Sequence, residues 1–425
     1  MELIAISINK IFKSNLLRNA SKLATGTAIS QVLALAFIPI LSRTYSQDAF
    51  GIFAAYFAVV SIISSYATLK YDTALVLPKH DKDAYTLLKL SNIVTVAITV
   101  LSIGILLIPI PYFREYRGLQ LFIGFSVLLS VNYNNSALWN IRFKQFNHTA
   151  ISHVLQSIAI FVFQFLLYQF FELKGLIIGN IIGVSFSCAY LLITRKFDWS
   201  VYKSINKHDM LMQARRYVDF PKYFTLSNAV LSFSSNLPIL LFVKYISLAQ
   251  IGIYGMAVRI IAQPVTLISN SLRSVLLGEM AERRNKEKPI LKWYTKIFVS
   301  LFLLTVVGSL LLFFLSNFIV EIFLGKEWSE VGLYAKMLIP LLISMMISSP
   351  GIAAVRVFEM QRYNFHYSLV SLSIKAGVLL VLFSWGIAPF EYIILIYSIV
   401  NLGLVLGNNS IIFNKIRRYE KEISK

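Results

Sequence analysis

"PILSRTYSQDAFGIFAAY" (residues 39–56) and "LLFVKYISLAQIGIYGMA" (residues 240–257) lie on each other without a gap when the second is moved back by 201 positions. Arg43 meets Lys244, Ser46 meets Ser247, Gly51 meets Gly252, Ile52 meets Ile253 and Phe53 meets Tyr254. One aligned passage between two apolar sequences could be chance. Here the register continues: Leu75 falls on Leu276, and the basic stretches 70–89 and 273–296 fall in corresponding places. The spacing predicts an internal duplication half the chain apart.

The chain has 425 residues, of which 57% are hydrophobic and only 14% charged. A water-soluble domain carries roughly 25% charged residues. Apolar runs long enough to cross ~30 Å of hydrocarbon recur throughout. Twelve are read, at roughly 20–43, 49–69, 88–110, 118–139, 150–171, 173–194, 222–244, 250–272, 294–315, 331–354, 364–386 and 391–413. In lipid a backbone must satisfy its own polar groups, so each is expected to be a helix. A membrane barrel would show ~10-residue alternating segments, and none is found.

Lysine and arginine outnumber aspartate and glutamate by 40 to 20. With the amino terminus placed inside, 31 of the 40 basic residues fall in alternate loops on that side and 6 on the other, which orients the chain with both termini cytoplasmic. The basic balance is thus accounted for without nucleic acid. Leu23–Leu41 is too long for the core of a cleaved signal. Ile4, Ile8 and Ile11 share one face of a short interfacial helix. Cys188, the single cysteine, reads as a buried structural thiol.

The longest polar stretch, 195–221, separates two groups of six spans. The expected organisation is an amino-terminal interfacial helix (1–19), an N-lobe (20–194), a cytoplasmic linker (195–221), a C-lobe (222–413) and a basic tail (414–425). An even number of spans in each lobe gives the repeat parallel topology. Such pairs enclose a site and rock around it.

Polar residues recur at helical spacing inside the spans. Arg259, Gln263, Thr266, Asn270 and Arg273 form one stripe. Thr225, Asn228, Ser232 and Ser235 form another, and Asn364, Ser368, Ser371 and Lys375 a third. Weaker ones comprise Lys22, Thr25, Thr27 and Gln31, and Ser61, Ser65, Thr68 and Asp72. Such residues also bond helix to helix, but five stripes point to a hydrated cavity. Arg259, Lys336 and Lys375 lie within spans, whereas Asp48, Asp72, Asp219 and Glu391 lie at span ends. A mid-membrane charge costs ~2.5–3.5 kcal/mol on insertion scales, so these cations call for an anion from outside the protein. Pro39, Pro238, Pro264, Pro340 and Pro350 are expected to kink helices. No P-loop, dinucleotide-binding turn or metal-spaced cluster occurs, no cofactor or metal is expected, and the chain reads as a transporter rather than an enzyme.

"GTAISQVLALAFIPILSRTYSQDAFGIFA" resembles the opening of bacterial polysaccharide-repeat-unit flippases, the Wzx-type family. "KYDTALVLPKHDKDAYTLLKLS" resembles their first large cytoplasmic loop, and "FPKYFTLSNAVLSFSSNLPILLFVKYISLAQIGIYGMAVRIIAQP" the start of their second half. The resemblance is firmest in 20–95 and 215–290; residues 316–425 match only in span rhythm. It implies a member of the multidrug/oligosaccharidyl-lipid/polysaccharide (MOP) exporter superfamily: all-α, MATE-like, with two six-helix lobes in a V around a central cavity. It implies transport of undecaprenyl-pyrophosphate-linked oligosaccharide from the inner to the outer leaflet of the cytoplasmic (inner) membrane, for O-antigen, capsule or exopolysaccharide synthesis. A polysaccharide polymerase and a chain-length regulator are the partners expected beside the lipid bilayer. By position and charge, Arg259, Arg273, Lys22, Arg18 and Lys70 are candidates for pyrophosphate. Lys336 and Lys375 join them on the reading of the spans. Gln31, Thr25, Asn228, Ser232, Gln263 and Asn270 are candidate lining.

Outward movement of an anion past a negative-inside potential is helped by the field, by roughly 2.3 kcal/mol per charge per 100 mV. A Na+ or H+ gradient is the other expected drive, its cation held by neutral oxygens or an end carboxylate such as Asp219. The rival reading is a cation-coupled small-molecule or multidrug antiporter of the same superfamily, which would use membrane-buried carboxylates. A membrane polymerase or ligase would need a sizeable external loop.

Overall fold

The computed structural model describes residues 15–107, 118–386 and 389–423, and side chains from residue 22 to residue 422 within those ranges. The expected interfacial helix at 3–12 and the side chain of Arg18 lie outside the described residues. Among the described residues there is helix and no strand. All twelve apolar spans fall on helices. Ten candidate membrane-crossing segments result, one of which, Phe146–Thr194, is 49 residues long and holds two helices. The span at 118–139 falls outside those ten because asparagines interrupt it at 132, 134 and 135. The protein is a multi-pass membrane protein, with two compact units, 1–236 and 237–425.

Unit 1 contains α1 (Asn15–Ala36), α2 (Ile38–Thr44), α3 (Gln47–Tyr66), α4 (Asp81–Leu107), α5 (Gln120–Arg142), α6 (Phe146–Phe171), α7 (Gly175–Thr194), the short α8 (Trp199–Ser204) and α9 (Lys207–Arg216). It also holds the start of α10 (Leu226–Tyr245). Its tightest seam is made by Gly175, Gly179 and Gly183, one per turn of α7. A Cβ on Gly179 would stand 2.5 Å from the backbone N of Gln164, and one on Gly183 2.5 Å from that of Ile160. Only hydrogen fits there, so α6 and α7 approach backbone to backbone, the packing that membrane helices use in place of a hydrophobic drive. α1 lies against α6 in the same manner, with Gly26 against Ala150. Ser157 Oγ donates to the Ser30 carbonyl (2.9 Å), and Phe37 stacks on Phe161 at 3.9 Å.

Unit 2 contains the rest of α10, α11 (Leu248–Asn285), α12 (Leu291–Leu324), α13 (Ser329–Met337), α14 (Ile339–Val357), α15 (Gln361–Trp385) and α16 (Phe390–Ile423). Pro39 and Pro340 start helices, where a missing N–H costs nothing. Pro238, Pro264 and Pro350 sit inside helices that continue through them.

The repeat is visible in backbone detail. Ser46 and Ser247 both cap with φ −69°, and each side chain accepts from the N–H three residues on, at 3.3 Å. A second correspondence, at an offset of 215, ends α5 and α14. After Phe143 and Phe358 the chain turns left-handed, at Lys144 (φ 56°) and Glu359 (φ 54°). The closing bonds match, Gln145 N–H to the Asn140 carbonyl (2.7 Å) and Met360 N–H to the Val355 carbonyl (2.9 Å). The 201-residue register holds to the level of Tyr66 and Leu267 and then departs. In unit 1 the helix breaks, with Leu69 and Lys70 at positive φ and a 3-10 turn at Thr73–Val76. In unit 2, α11 runs straight on to Asn285.

Stretches assigned to one side by charge come together at one end of each unit. In unit 1, Tyr71, Leu75, Tyr85, Trp139 and Ile205 form one cluster. In unit 2, Met280, Ile290, Tyr294, Val357, Ile412 and Ile416 form its counterpart. The stretch 195–221, expected as an exposed loop, is folded. Ile205 is buried, Lys89 Nζ donates to the carbonyls of Tyr202 (3.4 Å) and Ile205 (2.9 Å), and α9 is clamped to the start of α4 by Lys82–Asp209 (3.2 Å) and Arg216–Asp83 (3.8 Å). Its aromatic residues, Phe197 and Tyr202 among them, supply the apolar surface that an exposed loop would lack.

Candidate functional site

The cations named from the sequence divide into those inside helices and those at the basic ends. On α11, Arg259, Gln263, Thr266 and Arg273 are half-buried and Asn270 is exposed. Thr266 Oγ1 returns its proton to the carbonyls of Ala262 (2.9 Å) and Gln263 (2.7 Å). Gln263 Oε1 and Arg273 Nε are buried with no hydrogen-bond partner. On α15, Ser368 Oγ donates to the Asn364 carbonyl at 2.8 Å, Ser371 is buried and Lys375 is half-buried.

None of Arg259, Arg273 and Lys375 belongs to an ion pair among the described residues. The pairs that do form lie at the basic ends: Arg142–Asp81, Arg283–Glu279, Arg284–Glu359 and Lys286–Glu282 join the two on α9. Among the described residues the ion pairs thus gather at the helix ends, and Arg259, Arg273 and Lys375 have none. Lys336 differs, since its Nζ stands 5.4 Å from the ring of Phe313, which is 47% exposed. A lysine over an exposed ring on α12 is stabilised without an anion.

In unit 1 the second and seventh spans bond to each other, Ser232 Oγ on α10 donating to the Ser61 carbonyl on α3 at 3.3 Å. Asn228 Nδ2 instead donates back along its own chain to the Phe224 carbonyl (2.7 Å). Lys70, half-buried, sits in the break after α3 with φ 58°, its N–H bonded to Thr68 Oγ1 (3.1 Å). The α1 stripe is corrected. Gly26, Ser30 and Phe37 take the face against α6. Nine residues at 100° each set Lys22 and Gln31 on opposite sides of that face. Lys22 and exposed Thr25 lie on one flank. Gln31, whose Oε1 is buried without a partner, lies on the other with Thr27.

Asp72 was read as a span-end residue. It is 3% exposed and is the one charged side chain fully buried among the described residues. Thr68 Oγ1 donates to its Oδ1 (2.8 Å) and Asn134 Nδ2 to its Oδ2 (3.0 Å). The signal was present, in Asp72 four residues after Thr68 and in the asparagines of α5, but nothing in the sequence brings 72 to 134. Arg356, at the end of α14, was also missed, because it stands at a span end and in no stripe. No group of three or more His, Cys, Asp or Glu side chains able to hold a metal occurs among the described residues.

The model of a family described as "Polysaccharide biosynthesis protein" matches residues 40–333. No curated protein matches this chain. Among solved structures, the chain is similar to the lipid II flippase MurJ in an inward closed conformation, at 15% identity and a TM-score of 0.70, over 94% of this chain and 90% of that one. It is similar to an inward-facing multidrug resistance MATE family transporter of the MOP superfamily at 13% identity and 0.67, over 95% and 96%. The eukaryotic MATE transporter AtDTX14 matches at 14% and 0.57, over 97% and 100%. The fold is that of MATE and MurJ.

Proposed function

The chain belongs to the polysaccharide biosynthesis protein family, and from that premise we propose that it is a flippase. Its cargo is undecaprenyl-pyrophosphate-linked oligosaccharide, carried by alternating access from the inner to the outer leaflet of the bacterial cytoplasmic membrane for O-antigen, capsule or exopolysaccharide synthesis. Both termini are cytoplasmic, and export draws on the membrane potential or on a Na+ or H+ gradient. A polymerase and a chain-length regulator act on the delivered unit.

The observation that carries this reading is the set of unmatched cations. Arg259, Arg273 and Lys375 are half-buried on helices long and apolar enough to cross a membrane, with no carboxylate paired to them among the described residues. A pyrophosphate brings negative charge and many acceptor oxygens, so an Arg fork holds it with parallel hydrogen bonds. A few cations spread along a path bind weakly enough to release the cargo.

Arg259→Ala tests it. Export measured as surface polysaccharide should stop, undecaprenyl-linked repeat units should accumulate, and membrane abundance by immunoblot should hold. Arg259→Lys should retain part of the activity, because charge survives without the fork. Reduced abundance with normal export per molecule would mean that Arg259 only braces the helix near Pro264. The antiporter reading draws on Asp72, a buried carboxylate with neutral donors only. Altered drug tolerance with normal polysaccharide in a deletion strain would favour it.

A further inference from the structure

α11 and α14 are pinned together at two levels. Ser269 Oγ lies 3.2 Å from Met346 Sδ, and Ser349 Oγ donates to the Ser269 carbonyl at 3.5 Å. Further along, Arg284 donates to the Val357 carbonyl. Between the pins stand Arg273, on α11, and Arg356, in the last turn of α14. Arg273 is one turn on from Ser269 and Arg356 two turns on from Ser349, so both leave their helices on the side where those two serines meet. Arg273 is half-buried with its Nε unpartnered, while Arg356 is exposed.

Acids close in sequence do not relieve the pair. Glu279 serves Arg283 (2.8 Å), Glu282 serves Lys286, and Glu359 lies toward Arg284 (3.8 Å). Two guanidinium groups held together by the packing of their helices, with the neighbouring carboxylates spent elsewhere, make a costly arrangement unless an anion completes it. A carboxylate has two oxygens, enough for one fork. A phosphate or pyrophosphate has oxygens for both. The exposed Arg356 lets such a group enter from water, and the half-buried Arg273 then holds it. The sequence of unit 1 carries no such pair: Asp72 stands 201 positions before Arg273, and Ile141 stands 215 before Arg356.

We infer that Arg273 and Arg356 together hold the phosphate of a lipid headgroup at the basic end of unit 2. That the occupant is the lipid-linked pyrophosphate rests on the flippase reading. That it is a phosphate rests on the two arginines. An anionic phospholipid headgroup offers the same chemistry, and the test separates the two.

The full chain is placed in nanodiscs of phosphatidylcholine and titrated with undecaprenyl pyrophosphate and, separately, with phosphatidylglycerol, binding being read by native mass spectrometry. Arg273→Ala, Arg356→Ala and the double variant are compared with Arg417→Ala, an exposed arginine of α16. Each single variant should lose tenfold or more in affinity. The double variant should be no more than about twofold worse than either, because both act on one group. Arg356→Lys should lose less than Arg356→Ala, and Arg417→Ala should bind as the wild type does. Melting temperatures should hold or rise, since removing one of two like charges relieves repulsion.

If wild type binds the pyrophosphate lipid and the variants bind it less, the site and the flippase reading both stand. If wild type binds only phosphatidylglycerol and the variants lose it, the phosphate site stands and the proposed cargo falls. If the variants bind every lipid as wild type does, the site is overturned while the flippase reading is untouched. If wild type binds neither lipid, the site is overturned as well.

Discussion

Residue 72 of unit 1 and residue 273 of unit 2 are 201 positions apart in the sequence, just past the point where the two backbones diverge, and the chain has put opposite charges there. In unit 1 the helix breaks and Asp72 turns inward, where Thr68 and Asn134 neutralise its lone pairs with ordinary hydrogen bonds. In unit 2 the helix continues unbroken, and Arg273 keeps a buried Nε with no hydrogen-bond partner among the described residues. One copy closed its polar group into structure and the other left it open. The last helix pairs differ in the same sense. α6 and α7 are locked by glycine, whereas Gly377 of α15 and Gly403 and Gly407 of α16 have no neighbour within 4 Å of where a Cβ would stand. Duplication supplied two similar scaffolds; unit 1 closed its last helix pair on glycine, and unit 2 carries, on its long helices, the cations Arg259, Arg273 and Lys375, which have no ion-pair partner among the described residues.

The most damaging way to probe this contrast is at the seams. Gly179→Leu would drive a side chain into the backbone of Gln164, whose carbonyl accepts from Tyr45 Oη (2.6 Å) and whose Nε2 donates to the Leu176 carbonyl (2.9 Å). No rotamer escapes a backbone contact, so membrane abundance by immunoblot should collapse. Gly407→Leu, with open space around it, should leave abundance unchanged. Equal loss from both would show that the two pairs are packed alike after all.

Next comes the pair of charges. Asp72→Leu leaves the buried Thr68 Oγ1 without its acceptor, at a cost of about 1–3 kcal/mol, while the exposed Asn134 loses less. The detergent-solubilised protein should melt several degrees lower. Asp72→Asn, which keeps the shape and part of the bonding, should cost less. Arg273→Leu should be neutral or mildly stabilising, because it removes an unmet charge. A large loss of stability there would mean that Arg273 is as structural as Asp72.

These contrasts explain what could be read in advance. Helix positions followed from apolar length, and the Ser46/Ser247 join from direct identity, because both are local. The charge rule grouped the right stretches at one end of each unit, because it sums many residues. The break after Tyr66 was illegible: it is held by Asn134, far along the chain, and no spacing announces that contact. The α1 stripe failed because a helix facing a neighbour through Gly26 and Ser30 splits its polar residues to either side. Arg356 was missed because a span-end cation looks ordinary until the Arg273 beside it is seen.

Asn140 gives a finer comparison. It is fully buried on α5, and neither of its side-chain polar atoms has a partner. At the matching position unit 2 has Val355, itself buried. An unsatisfied buried amide stabilises nothing, so Asn140→Val should change stability by less than about 1 kcal/mol or raise it. A drop of several degrees in melting temperature would reveal that Asn140 binds something, and the contrast between a filled unit 1 and an open unit 2 would lose one of its supports.

The smallest effect concerns the bases of the units. The unit 2 base is closed from within its own helices, where Glu420 of α16 accepts from the N–H groups of Ile290 and Leu291. The unit 1 base is closed by α9, through Asp209. The Asn206 N–H and, with less weight, the Lys82 ammonium hold that carboxyl below its ordinary value of 3.8. A depressed value in the folded state means that the clamp contributes fully above pH 3.8 and is lost as pH falls through the folded value below that. At neutral pH it should be intact, and Asp209→Asn should mimic its loss. Lys82 is exposed and Asp209 half-buried, so salt screens the pair. Residues 207–216 should then exchange amide hydrogens only a few times faster in the variant, with 291–300 unchanged. Exchange that rises equally at both bases would show that the linker holds the whole protein rather than unit 1 alone.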